Sequence, residues 1–154
     1  MVEILEDMIN VRRAGRDDLG QVLALYRLLN GPYAAARRVV TEAEAWRTLT
    51  DDPRQYLMVA EDDGCVVGTA TVIVIANIGH GGNPWAAVEN VVVAEEYRGR
   101  GVGTRLMVAV GDIARRLGCY KLVLSSNAAR AEAHEFYRQL GWRQTHAGFS
   151  MERI

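Results

Sequence analysis

The chain has 154 residues, 49% of them apolar and 24% charged, with a formal net charge of -1. That length suits a single domain over residues 1–154, and the composition excludes a disordered chain. Basic residues come in short pairs such as Arg12-Arg13, Arg37-Arg38 and Arg115-Arg116, so no basic stripe marks a nucleic-acid partner.

In chain order, Ile9 to Ala14 reads as a short strand. A helical pattern begins at Asp17 or Asp18, with Leu19, Val22, Leu23, Tyr26 and Leu29 at helix-like spacing, and Asn30-Gly31-Pro32 stops it. Thr41-Glu42-Ala43-Glu44 fits a capping box opening a helix that runs to about Leu49. Gln55 to Glu61 and Cys65 to Ile78 read as a hairpin turning at Asp62-Asp63-Gly64. A glycine-rich loop, Gly79 to Pro84, precedes a strand over Ala86 to Val93, whose end Val91-Val92-Val93 suggests burial on both faces. After Gly103 a helix shows Leu106, Met107, Val110, Ile113, Ala114 and Leu117 on its inner face and stops at Gly118. Tyr120 to Ser126 reads as strand, Ala131 to Leu140 as helix and Thr145 to Arg153 as a last strand. The order βαα–βββ–α–β–α–β predicts an α/β fold with a mixed sheet and helices on both faces.

Cys65 and Cys119 are too few for a disulfide framework and read as small apolar residues in a reducing compartment. Residues Met1 to Asn10 carry Glu3, Glu6 and Asp7, unlike a signal peptide. The longest apolar run, Ala70 to Ala76 with Thr71 inside it, is too short to cross a bilayer. The expectation is a soluble cytoplasmic protein with no membrane partner. His80, His134 and His146 share no ligand-like spacing, so no metal site is expected.

The segment Val91 to Thr104 leads a buried strand through a glycine-dense turn into a helix. Free amides at a helix start bind phosphate oxygens, and glycine lets backbone approach a ligand closely. Arg98 and Arg100 add positive charge beside Gly99, Gly101 and Gly103, with Val102 and Thr104 completing the turn. A ligand-free strand-to-helix turn explains the glycine spacing alone about as well. Neither a dinucleotide fingerprint nor a P-loop fits: Thr104 or Leu106 takes the third glycine's place, and the helix has no lysine.

What remains is R-x-x-G-x-G at Arg98, Gly101 and Gly103, followed by Leu117-Gly118-Cys119-Tyr120-Lys121-Leu122, Asn127 and Glu135-Phe136-Tyr137-x-x-Leu140-Gly141-Trp142. This series resembles motifs A and B of the GNAT N-acetyltransferases over roughly Gln55 to Trp142, particularly glucosamine-6-phosphate N-acetyltransferases. The resemblance implies the GNAT acyl-CoA N-acyltransferase fold, with acetyl-CoA as cosubstrate. It implies that Arg98, Gly99, Arg100, Gly101, Val102, Gly103 and Thr104 hold the pyrophosphate. Main-chain groups of Val91 and Val93, with Asn127, would pair with the pantetheine arm.

Acetyl transfer to an amine needs a proton acceptor, a stabilised oxyanion and a departing thiolate that takes a proton. The resemblance puts the base on the strand before motif A, at Glu89, whose apolar strand neighbours predict desolvation. An edge-facing or salt-bridged glutamate is the alternative. Tyr137 is the implied acid, a phenol of pKa about 10 suited to a thiolate, with core packing as the alternative. Asn127 serves equally as a turn or cap residue. Asn90 stands where the sugar-phosphate enzymes carry aspartate; Asn90 and Tyr33 are read as acceptor-side residues. The acceptor is expected to be a small-molecule amine, with a peptide or protein amine as an alternative and a non-catalytic acyl-CoA sensor as a rival class. A homodimer is expected from the resemblance.

Overall fold

The computed structural model describes residues 9–31 and 40–151. Its elements are β1 (Asn10–Arg13), α1 (Leu19–Asn30), α2 (Glu42–Asp51), β2 (Gln55–Asp62), β3 (Cys65–Ile75), β4 (Trp85–Val93), α3 (Val102–Arg116), β5 (Leu122–Leu124) and α4 (Ala131–Gln139). The chain forms two compact units, Met1–Val123 and Leu124–Ile154.

Local chemistry accounts for most boundaries. Gly31, at φ +68, ends α1 with its amide bonded to the Arg27 carbonyl at 2.9 Å. At α2, Thr41 Oγ1 accepts from the Glu44 amide at 3.2 Å while Glu44 Oε2 accepts from the Thr41 amide at 2.7 Å. Such a box stabilises a helix by about 1 kcal/mol. Asp63 and Gly64, at φ +45 and +80, make the two-residue turn between β2 and β3. Two consecutive positive φ values match the right-handed twist of a hairpin.

The sheet runs in the order β1-β2-β3-β4-β5. The first three neighbouring pairs are antiparallel. Beside β4 the next strand starts parallel: the Tyr120 amide donates to the Pro84 carbonyl at 2.9 Å and the Ala86 amide to Lys121 at 3.0 Å. Both segments therefore advance in the same direction, and the sheet is mixed.

Each face of the sheet is covered by helix. Val22 and Leu25 of α1 and Trp46 of α2 share a core with Leu57, Val59 and Val92. On the opposite face α3 buries Val102, Leu106, Met107, Val110, Ile113 and Ala114. This helix lies close to β3, because a Cβ at Gly68 would stand 3.0 Å from Leu106 and 3.1 Å from Val102. Full burial of one such aliphatic side chain is worth about 1.5–3 kcal/mol.

Arg12 ties β1 to two other segments. Its guanidinium donates to both carboxylate oxygens of Asp18, at 2.7 and 3.0 Å, and pairs with Glu61 on β2. Asp18 is buried and also accepts from the Gly15 amide at 2.6 Å. The Arg12 hydrogen bonds hold the Asp18 carboxyl below its usual range, against the upward push of burial.

Several expectations need correction. β3 ends at Ile75, and Ile78 is fully exposed beyond it. Strand β5 keeps only Leu122–Leu124 of the expected Tyr120 to Ser126, and beyond it the chain turns at Asn127 to enter α4. No strand forms over the described residues Thr145 to Met151, where Phe149 and Met151 stand exposed. Alternating residues give a strand only when another strand supplies the ladder. Cys65 is exposed at the hairpin rather than packed as a small apolar residue; Cys119 is half-buried. No described helix is long and apolar enough to cross a membrane.

Candidate active site

Strand β4 carries an irregularity where the chemistry was expected. Thr69 of β3 pairs with Val92, but Thr71 pairs with Glu89, so β4 holds one residue more than β3 across this step. Asn90, directly after Glu89, adopts φ +53. Asparagine tolerates this left-handed conformation better than most residues, and an extra residue of this kind makes a β-bulge. The bulge corrects the burial expectation: Val92 is buried, while Val91 and Val93 are half-buried. Glu89 itself is exposed, against the burial its apolar neighbours suggested. Among the described residues the Glu89 carboxylate makes no hydrogen bond or ion pair.

Past Val93 the chain makes one 3-10 turn over Glu95–Tyr97 and then the glycine turn. Gly99 stands at φ +73, and Gly101, the N-cap of α3, at φ +79. A Cβ at either would meet nothing within 4 Å, so open space lies beside both. The first helical bond runs from the Arg105 amide to the Gly101 carbonyl at 3.0 Å. The amides of Val102, Gly103 and Thr104 thus lie ahead of the helical ladder, at the positive end of the α3 dipole. This cradle fits a diphosphate. Arg98 donates through Nε to the Val93 carbonyl at 3.3 Å and faces Glu95 at 3.8 Å, an exposed pair of small energetic weight.

Sequence reading missed the support of this turn. The Tyr97 hydroxyl donates to Asp62 Oδ2 at 2.7 Å, and the Arg100 guanidinium lies 4.6 Å from the centroid of the Tyr97 ring. The hydrogen bond to Asp62 raises the Tyr97 pKa. The signal was present as an aromatic one residue before Arg98, but Asp62 read only as a turn residue.

In the second unit, Asn127 Oδ1 accepts from the Ala129 amide at 2.9 Å, which makes Asn127 a turn residue at the entrance to α4. Tyr137 sits on α4 with ring centroids of Phe136 and Trp142 at 5.3 and 6.2 Å. Burial raises the Tyr137 pKa, with a smaller opposing effect of Arg130, so its hydroxyl stays protonated through the neutral range. The structure gathers Glu89, Asn90, Val91, Val93 and Arg98 to Thr104 within the first unit, whereas Asn127 and Tyr137 belong to the second. Tyr33 lies outside the described residues. Among the described residues no group of His, Cys, Asp or Glu side chains could hold a metal ion.

Comparison with known proteins gives a consistent family. The model of the acetyltransferase (GNAT) family matches residues 22–142. Glucosamine 6-phosphate N-acetyltransferase of Trypanosoma brucei brucei is 36% identical over 80 residues, covering 52% of this chain and 52% of the relative. Aminoalkylphosphonate N-acetyltransferase of Salmonella typhimurium is 30% identical over 99 residues, covering 64% of each. The chain thus matches between about half and two thirds of the length of these relatives. The crystal structure of a Trypanosoma brucei acetyltransferase superimposes with a TM-score of 0.80 at 26% identity, covering 94% of this chain and 99% of that one. The chain belongs to the GNAT acetyltransferase family.

Proposed function

We propose that this chain is an acetyl-CoA-dependent N-acetyltransferase that acetylates the primary amine of a small molecule by direct attack, with both substrates bound together. The observation that carries the reading is the open glycine turn, with Gly101 at φ +79 heading α3. The amides of Val102, Gly103 and Thr104 donate to the cofactor's diphosphate, Gly99 and Gly101 leave it room, and Arg98 and Arg100 add positive charge. Main-chain groups of Val91 and Val93 and the Asn127 amide take the pantetheine arm. Bound acetyl-CoA supplies an activated acetyl thioester.

Glu89 takes the proton from the acceptor's ammonium, directly or through water, which its exposed position on β4 permits. Tyr137 gives a proton to the departing sulfur, a role supported by its raised pKa. Asn90 and Tyr33 contribute to the acceptor side. The amines in the names of the two relatives, an amino sugar phosphate and an aminoalkylphosphonate, support a small-molecule acceptor. The proposed setting is a cytoplasmic homodimer in which residues 1–154 act as one catalytic domain. A thiol-release assay with acetyl-CoA and a panel of amines tests the activity. Binding of acetyl-CoA with no thiol release from any amine would assign the chain to the non-catalytic acyl-CoA binders.

A further inference from the structure

Thr71 and Glu89 are direct partners across the β3–β4 ladder, one step from the bulge at Asn90. Direct partners in an antiparallel pair point to the same face, with Cβ atoms about 4.5–5.5 Å apart. Leu57 pairs with Thr71 from the other side, and it lies in the core beneath α1 and α2. Thr71 therefore marks the border of the covered part of this face. Its residue is 1% exposed, whereas Glu89 across the ladder is exposed.

The Thr71 hydroxyl is buried without a hydrogen-bond partner. A buried hydroxyl in that state costs free energy, and its persistence calls for a reason. Glu89 offers the complementary group: its carboxylate only accepts, and no described residue donates to it. A buried donor without an acceptor thus sits opposite a carboxylate that no described residue engages, across one strand pair. The cross-strand spacing of direct partners lies within the reach of a glutamate side chain.

Resting on the reading of Glu89 as base, we propose that Thr71 is a positioning residue: its hydroxyl donates to the Glu89 carboxylate when an acceptor is bound and aims the free oxygen at the ammonium. Thr69 makes the comparison informative. It is equally buried and its hydroxyl equally unpartnered, but its ladder partner is Val92, which offers no side-chain acceptor.

The test measures turnover of acetyl-CoA with a responsive amine in Thr71→Val, Thr71→Ser, Thr69→Val, Glu89→Gln and the Thr71→Val/Glu89→Gln pair, alongside thermal melting of each. Thr71→Val keeps the shape and removes an unsatisfied hydroxyl, so its melting temperature should equal or exceed that of the parent. Its kcat should fall on the order of tenfold, the scale of a hydrogen bond to a charged group, with KM for acetyl-CoA unchanged. Thr71→Ser should regain most of that loss, Thr69→Val should keep the parent rate, and the pair should be no slower than Glu89→Gln alone. If Glu89→Gln is slow while Thr71→Val runs at full rate, the positioning role is wrong and the base reading survives. Equal losses in Thr71→Val and Thr69→Val, or no recovery in Thr71→Ser, overturn it as well. A full-rate Glu89→Gln removes the base and the positioning role together.

Discussion

The Tyr97 hydroxyl donates to the Asp62 carboxylate at 2.7 Å, which fastens the turn before α3 to the β2–β3 hairpin. Through its ring the same tyrosine also carries Arg100. Tyr97→Phe keeps the ring and loses the bond, so the glycine turn keeps its Arg100 contact and loses its tether. Acetyl-CoA affinity should fall about threefold to tenfold, the range of one net hydrogen bond. Calorimetric titration with acetyl-CoA measures this, and an unchanged affinity means the tether serves the hairpin alone.

Gly101→Val should abolish acetyl-CoA binding. Position 101 requires φ +79, which a β-branched residue resists, and the added atoms would enter the open space beside the cradle. Calorimetry on the folded variant decides it. Retained affinity would put the phosphate site elsewhere.

Tyr137→Phe should lower kcat about 100-fold or more with acetyl-CoA affinity nearly intact, the usual scale for loss of general-acid help. The ring contacts with Phe136 and Trp142 remain possible for phenylalanine. Steady-state kinetics showing a full-rate variant would reduce the ring to packing.

Glu89→Gln should lose activity most near neutral pH and recover part of it at high pH. An alkylamine is mostly protonated at neutrality, and an amide cannot take its proton. Alkaline solution supplies the free amine instead. A pH–rate profile that overlays the parent's means the proton leaves by another route.

Asp18→Asn should destabilise the fold by about 1–3 kcal/mol at neutral pH, the cost of weakening a buried, charge-assisted contact. The Asp18 carboxyl is held below its ordinary value by Arg12, so the native state binds fewer protons than the unfolded one between the two pKa values. The contribution is therefore complete above about pH 4 and is lost as pH falls through the folded-state value. Urea denaturation of both proteins at neutral and acid pH should show the gap closing in acid. A gap constant with pH would mean that charge is not its source.

Features governed by neighbouring residues were legible in the sequence. The Thr41 capping box, the Asp63-Gly64 turn and the Gly31 stop each depend on a few adjacent residues and stand where the pattern put them. The glycine turn was legible for the same reason. The burial of Val92 with Val91 and Val93 only half-buried was not, because one inserted residue changes which face follows, and that insertion depends on the register against β3. Asn90 read as a substrate residue from chemistry, yet its φ of +53 gives it a backbone reason as well. Of the strand expected over Thr145 to Arg153, the described part, Thr145 to Met151, forms no ladder, and pairing is something no local pattern contains. The Tyr97–Asp62 contact spans 35 positions and left only a single aromatic as its trace.

Gly68 touches no proposed ligand atom, yet the spacing between β3 and the first turns of α3 depends on its having no side chain. A methyl group there would press on Leu106 and Val102, which lie within the first two turns of that helix, and on the Val92 carbonyl at 3.3 Å, so a shift of a few tenths of an ångström at the end that carries the cradle amides is the expected response. A genetic screen for lost activity would score Gly68→Ala beside the true cradle variants, although it alters the aim of the helix rather than any contact. Restoring compounds for such an allele would be smaller residues at 102 or 106, on the buried side of α3 and away from the cosubstrate.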